Sequence, residues 1–218
     1  MYPVIAIDGP SASGKGTIAS RVADALGWAY LDSGALYRVS ALYAKQNGID
    51  VSDEESVSQL IRNMPVSFSD SQVMLNNQDV SLDIRREEIG MLASRIATLP
   101  EVRQALLQLQ RDFAVKSPVV ADGRDMASVV FPEAQLKVFL QADAHIRAVR
   151  RAKQLGLASD GEQFEKILHD IEKRDYADYN RAVSPLVKVE DAYALDTSNI
   201  TIEEAVKKVI EWYQQVKK

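Results

Sequence analysis

IAIDGPSASGKGT, residues 5–17, is the stretch on which the reading of the whole chain turns. The apolar run Val4-Ile5-Ala6-Ile7 predicts a buried strand, and Gly9, Gly14 and Gly16 predict a loop after it. Ile18, Val22 and Leu26 then recur at helical spacing. Strand, glycine loop and helix N-terminus in that order can wrap backbone N–H groups around an anion, and Lys15 adds a full positive charge. Gly9 to Lys15 fits the phosphate-loop pattern G-x-x-x-x-G-K. The strict pattern continues with Ser or Thr, whereas here Gly16 follows and the hydroxyl comes one later, at Thr17. A glycine turn used only for close packing would leave Lys15 and its flanking strand and helix unexplained. The loop does not say what becomes of the nucleotide, because switches, motors, transport ATPases and small-molecule kinases all use it.

Composition narrows the choice. A chain of 218 residues, 46% hydrophobic, is long enough for one α/β core with a modest insertion. A net charge of -5 and a pI near 5.2 argue against a groove for a nucleic acid polymer and suit single nucleotides. The absence of cysteine excludes disulfides and thiolate metal sites. Met1-Tyr2-Pro3 runs into the first strand without a basic segment and an apolar signal core, and no apolar stretch has membrane-spanning length, so a soluble cytoplasmic protein is expected.

Further along, Trp28-Ala29-Tyr30-Leu31-Asp32 predicts a second strand, and Ser33-Gly34 opens a helix through Tyr37, Leu42 and Tyr43. Val66–Ser69 and Val73–Asn76 alternate polar and apolar around Asp70-Ser71-Gln72. Asn77-Gln78-Asp79 and a third short run, Val80-Ser81-Leu82, follow, and together they predict a small antiparallel insertion. Helical spacing returns from Ile84 to Ala114, broken at Pro100. Val119–Asp122, Leu136–Leu140 and Tyr193–Asp196 predict three more strands, with helices near 144–155, 162–178 and 202–216. Alternating strands and helices favour a parallel sheet covered on both faces. The expected fold is therefore α/β, a P-loop NTPase-type sheet with a small β insertion and a helical lid.

An Asn-Lys-x-Asp guanine reader is missing, and so are the Ser-Gly-Gly signature and catalytic Glu of transport ATPases. Arginines cluster instead near acids and glycines. LDSGALYR, residues 31–38, sets Ser33 at a helix start with Arg38 about a turn further on, which suits an anion or simply a capped helix. VADGRDM, residues 120–126, brings Asp122 to a strand end and lets Arg124 and Asp125 project from the carboxyl edge, where open α/β sheets bind ligands. In KRDYADYNRAVSPL, residues 173–186, Arg174, Asp178 and Arg181 fall on one helical face, either solvated or facing phosphate oxygens and a sugar hydroxyl. Arg147, Arg150, Arg151 and Lys153 lie just upstream, so residues 150–181 are expected to form a mobile, arginine-bearing lid. His145 and His169 belong to no motif and are expected at the surface.

IDGPSASGKGT, LDSGALYR, VADGRDM, VVFPEA and RDYADYNRAVSPL, in this order, resemble the motifs of the bacterial cytidylate kinases, which phosphorylate CMP and dCMP. The resemblance spans essentially the whole chain and includes an insertion at 63–100, the NMP-binding part of the longer bacterial type, with the core at 1–62 and 101–218. Gly16-Thr17 is usual in nucleoside monophosphate kinases. The resemblance implies that Gly9, Pro10, Ser11, Ala12, Ser13, Gly14, Lys15, Gly16 and Thr17 hold the phosphates of ATP. It assigns the acceptor phosphate to Ser33, Arg38, Arg124 and Arg181, the cytosine to Ser94, Arg103 and Asp125, and the ribose to Arg174 and Asp178. Arg150 would close over the donor.

The chemistry so implied is direct in-line transfer, with Lys15, Arg124, Arg181 and Arg150 as the catalytic cations. Mg²⁺ would be held mainly by phosphates and water, with Thr17 and Asp122 reaching its shell unless Asp122 simply caps the loop. ATP, CMP and dCMP are the expected partners, a monomer the expected state. A kinase for UMP, AMP or a non-nucleotide acceptor, or a nucleotide sensor without turnover, are the rival readings.

Overall fold

The structure, a computed structural model, describes residues 2–69 and 72–217. Strand β1 (Val4–Asp8) is buried at every residue, as its unbroken apolar run requires, and lies in the middle of a five-stranded sheet. The strand order is β2-β6-β1-β7-β8, with β2 at Ala29–Asp32, β6 at Val119–Gly123, β7 at Leu136–Gln141 and β8 at Tyr193–Asp196. β1 runs parallel to both β6 and β7, and β7 parallel to β8. Register pairs Ile7 with Asp122, and Asp8 with Gly123 on one side and Phe139 on the other. Three strands therefore end together at one carboxyl edge, where chain order reverses about β1.

Chain position in the layers follows from strand alternation. Ile5, Ile7, Val120, Val138 and Leu140 pack against Ile18 and Val22 of α1 (Lys15–Leu26) and against Val209 and Tyr213 of α8 (Ile202–Val216). Thr201 and Glu204 start α8 with a reciprocal capping box. Phe139 points the other way and packs with Leu186 and Ala192. Helices α6 (Ala144–Gln154) and α7 (Gly161–Asn180) pair through Ala148, Ala152, Phe164 and Ile171, with Ala12 of the glycine loop at the border of that cluster. Among the described residues, no helix is long and apolar enough to cross a membrane.

Residues 32–112 form a second compact unit; the first comprises the chain up to Leu31 and from Phe113 onward. Asp32 accepts a hydrogen bond from Ala35 N at 2.8 Å and so starts α2 (Ser33–Gln46). Helix α3 (Glu54–Arg62), strands β3 (Val66–Ser69), β4 (Gln72–Leu75) and β5 (Gln78–Asp79), a 3-10 turn at Asp83–Arg85 and helix α4 (Glu87–Ile96) follow. Helix α5 (Pro100–Lys116) opens at the proline expected to break the helical run. Within this unit α2 packs on α3, α4, β4 and the 3-10 turn. The third short strand differs from expectation, lying at Gln78–Asp79 instead of Val80–Leu82. Asn76 and Asn77 both adopt positive φ (52° and 61°), so a two-residue turn reverses the chain at once and pairs Leu75 with Gln78. Of the turn expected at Asp70-Ser71-Gln72, Asp70 and Ser71 lie outside the described residues.

Candidate active site

The glycine loop joins β1 to α1 at the carboxyl edge. A Cβ on Gly9 would stand 2.6 Å from the Leu140 carbonyl oxygen of β7, so only glycine passes the sheet there. Ala12 (φ 57°) and Gly14 (φ 88°) are left-handed, and a non-glycine residue in that conformation marks a loop held by its surroundings. Lys15 Nζ curls back to the Pro10 carbonyl at 3.4 Å. Two loop carbonyls are bonded by side chains from outside the loop: Ser11 O by Arg147 Nη1 at 3.0 Å, and Ser13 O by Thr197 Oγ1 at 3.1 Å. Arg147, the first residue of the basic cluster read just upstream of the lid, is buried. It donates to the Ala142 carbonyl and forks onto Asp175 of α7 at 2.5 and 3.1 Å. The root of the expected lid is thereby fastened to the phosphate loop.

Beside the loop, Asp122 is buried at the end of β6, and Tyr30 of β2 donates its hydroxyl to Asp122 Oδ1 at 2.7 Å. A Cβ on Gly16 would lie 3.4 Å from that hydroxyl and 4.0 Å from Asp122 Oδ2. The residue that departs from the strict loop pattern thus borders this pair.

Asp8, the last residue of β1, is 1% exposed, and its two oxygens accept from Met126 N at 2.9 Å and Ala127 N at 2.8 Å. These amides open a single π-helical turn, Met126–Val130, with Asp125 at its N-cap. Such turns recur at functional sites. Burial pushes the Asp8 carboxyl up to about 6; the two amides pull it down and the nearby Asp125 charge raises it. The turn fixes Arg124 and the buried Asp125 just after β6. Arg124 Nε donates to Asp178 Oδ2 of α7 at 2.6 Å, a pair with 16% and 17% of the two side chains exposed.

Arg174 and Asp178 lie on α7, but Arg181 does not, which corrects the expected three-residue helical face. The helix ends at Asn180, and Arg181 has extended backbone (φ -64°, ψ 140°) with Nε donating to the Ser184 carbonyl. The chain turns because Leu186, fully buried with Phe139, must return to the sheet; Leu186 N closes the turn on the Asp178 carbonyl at 2.8 Å. Pro185 could not continue a helix in any case. Arg150 meets the glycine loop through Thr197, donating to its carbonyl and, at 3.3 Å, to its hydroxyl. His145 and His169 are exposed, as expected.

The 32–112 unit gathers its own set. Arg38 Nη1 donates to the Ile84 carbonyl at 2.8 Å, and its guanidinium lies against Gly90 of α4, where a Cβ would come within 2.9 Å of Nη2. Ser94 Oγ donates to the Gly90 carbonyl at 3.0 Å. Arg103 donates to the Ala97 carbonyl at 3.2 Å and stands 5.9 Å from the ring centroid of Tyr37, the residue next to Arg38. Ser33 is buried at the start of α2. Arg38 and Ser94 thus both meet Gly90, Arg103 lies by Tyr37 of the same helix as Arg38, and Ser33 stands at that helix's start. Asp8, Tyr30, Asp175, Thr197 and Gly90 were not singled out from sequence, and Arg147 was singled out only as part of a basic cluster. The local signal was present only for Asp8, an acid closing an apolar strand directly before the loop.

A glycine loop with its lysine, ending the central strand of a parallel sheet, defines the class of phosphate-loop nucleotide-binding proteins. The fold resembles that of a solved protein from Eubacterium ventriosum, with a TM-score of 0.58 at 12% identity over 99% of each chain. One from Thermus thermophilus aligns with a TM-score of 0.51 at 17% identity, covering 99% and 98% of the two chains. Sequence comparison goes further. The family description "Cytidylate kinase" matches residues 5–215. A cytidylate kinase of Neisseria meningitidis serogroup A is 60% identical over 213 residues, 98% of either chain. That of Chromobacterium violaceum is 52% identical over 213 residues, 98% of this chain and 96% of its own. The chain belongs to the cytidylate kinase family.

Proposed function

We propose that the chain transfers the γ-phosphoryl group of ATP to CMP and dCMP, forming ADP with CDP or dCDP, in the presence of Mg²⁺. The observation that carries this reading is the Asp8 clamp, which fixes the turn bearing Arg124 and Asp125 to the residue directly before the phosphate loop. Donor-side amides and acceptor-side charges then share one rigid support. An acceptor phosphate oxygen attacks the γ-phosphorus, the bond to the bridging oxygen breaks, and ADP leaves with its electron pair. No protein nucleophile is required, so positioning and charge neutralisation are the chain's task.

Residues 9–17 hold the donor's phosphates, with Lys15 following the transferred charge. In the core unit Arg124 and Arg181 neutralise the acceptor phosphate, Arg174 and Asp178 take the ribose, and Arg150 tightens over the donor. In the 32–112 unit Ser33 and Arg38 bind the acceptor phosphate. Ser94 and Arg103, together with Asp125 of the core, read the base: cytosine offers an amine to a carboxylate and acceptors to a guanidinium, whereas uracil sets a carbonyl against the carboxylate. The hydroxyl of Thr17 and the carboxylate of Asp122 are hard oxygen donors that fit the outer surroundings of Mg²⁺. The ion would be carried mainly by the phosphates and water. When bound, Mg²⁺ supplies charge neutralisation across the donor's phosphates. A cytoplasmic monomer acting on small nucleotides completes the proposal.

Product analysis of ATP incubated with CMP tests it. Equal amounts of ADP and CDP are expected; ADP and free phosphate with CMP untouched would overturn the transfer reading.

A further inference from the structure

The feature that the proposed chemistry leaves unused is the half-buried phenol of Tyr30 beside the loop. A strict phosphate loop follows its lysine with a hydroxyl residue that serves the metal, and here that position is Gly16. The space its missing side chain leaves open is bordered by the Tyr30 hydroxyl, 3.4 Å from the Cβ position, and by Asp122 Oδ2, 4.0 Å from it. Tyr30 comes from β2, Asp122 from β6 and Gly16 from the start of α1, so three elements of the core unit converge on one point. The Tyr30 hydroxyl donates to Asp122 Oδ1 at 2.7 Å, which fixes the rotation of the carboxylate and keeps Oδ2 turned toward Gly16.

We propose that Tyr30 is a positioning residue for the divalent cation: its hydroxyl, entering the space beside Gly16, orients the Asp122 carboxylate toward the water shell of the ion. The inference rests on the reading that Mg²⁺ accompanies the nucleotide. Tyr30 touches neither ion nor substrate; it acts through Asp122, as outer partners of metal-facing carboxylates do, and loss of such partners costs roughly 10–100-fold in metal affinity. The position one residue further along, Thr17, is exposed and stands on the first turn of α1, so the chain has two separated routes to the ion's shell and Tyr30 governs the buried one.

The test is the coupling between metal and nucleotide in the absence of turnover. ADP affinity is measured by calorimetry with and without Mn²⁺ for the wild-type chain, for Tyr30→Phe and for the double variant Tyr30→Phe with Gly16→Ser. Thermal unfolding of each metal-free protein is followed alongside. The wild type is expected to bind ADP more tightly with Mn²⁺. Tyr30→Phe should lose about tenfold of that gain while binding metal-free ADP as before. The added serine, whose hydroxyl takes the space the phenol oxygen leaves, should restore part of it. A Tyr30→Phe protein that keeps the full gain overturns the inference alone, whether or not it melts lower. A wild-type protein whose ADP affinity ignores Mn²⁺ overturns the Mg²⁺ reading, and the inference falls with it.

Discussion

Asp8 sits where a carboxylate is least welcome, 1% exposed at the end of the central strand, and is retained because two backbone amides meet it. Burial raises its carboxyl from 3.8 to about 6, so the folded state binds this proton more tightly than the unfolded chain. Its contribution to stability is therefore full below the unfolded value and lost as pH rises through about 6. That amounts to about 3 kcal/mol in full and roughly half of it by pH 5. The charges facing it are Asp125 and Arg124. Exposed carboxylates held low by hydrogen bonds, such as Asp53 and Asp79, work in the opposite sense and at lower pH. We predict that denaturant unfolding of the ligand-free protein shows stability rising from pH 7.5 to 5, and that Asp8→Asn removes that rise; equal slopes in the two proteins would contradict the assignment. This residue was only half legible. Its place at a strand end is visible, but its partners lie more than a hundred residues away, as do those of Arg147 on the loop. Tyr30 and Asp122 are likewise 92 residues apart in sequence. Local spacing carries no trace of such pairs.

Elements, by contrast, follow local pattern closely. All five strands of the main sheet and the helices near 144–155, 162–178 and 202–216 lie where period and apolar runs put them. Departures occur where a turn decides. Asn76 and Asn77 reverse the chain two residues early, and α7 stops at Asn180 because Leu186 is drawn into the sheet's core. Helix α4 shows a subtler dependence: Gly90 leaves room for the Arg38 guanidinium, whose atoms would lie 2.9–3.2 Å from an added Cβ. Gly90→Ala should not weaken the helix, since alanine favours it by up to about 1 kcal/mol. The flexible arginine must move instead. KM for CMP is expected to rise about tenfold, the scale of one charge-assisted hydrogen bond, with KM for ATP and the melting temperature little changed. An unchanged KM for CMP would remove Arg38 from acceptor binding.

At the scale of the whole molecule the chain divides into a core that carries the phosphate loop and a unit of residues 32–112 that carries Arg38, Ser94 and Arg103. The motifs revealed the core and the class of chemistry, because a phosphate loop needs glycines and a lysine at fixed spacing. The compact unit of residues 32–112 starts earlier in the chain than the 63–100 segment that the resemblance marks as an insertion, because α2 packs on α3, α4 and β4. The proposal assigns the donor's phosphates to the glycine loop of the core, and to Ser94 and Arg103 of the 32–112 unit a part in reading the base. A reader built on paired donors and acceptors rejects the wrong base by about ten-thousandfold when water is excluded, and by less when it enters. The most direct measurement is kcat/KM for CMP, dCMP, UMP, AMP and GMP with Mg-ATP, followed through ADP formation. The account predicts efficient turnover of CMP and dCMP, with the other three lower by about a thousandfold or more. Comparable values for UMP or AMP, or no transfer to any of the five by a protein that still binds ATP, would contradict it.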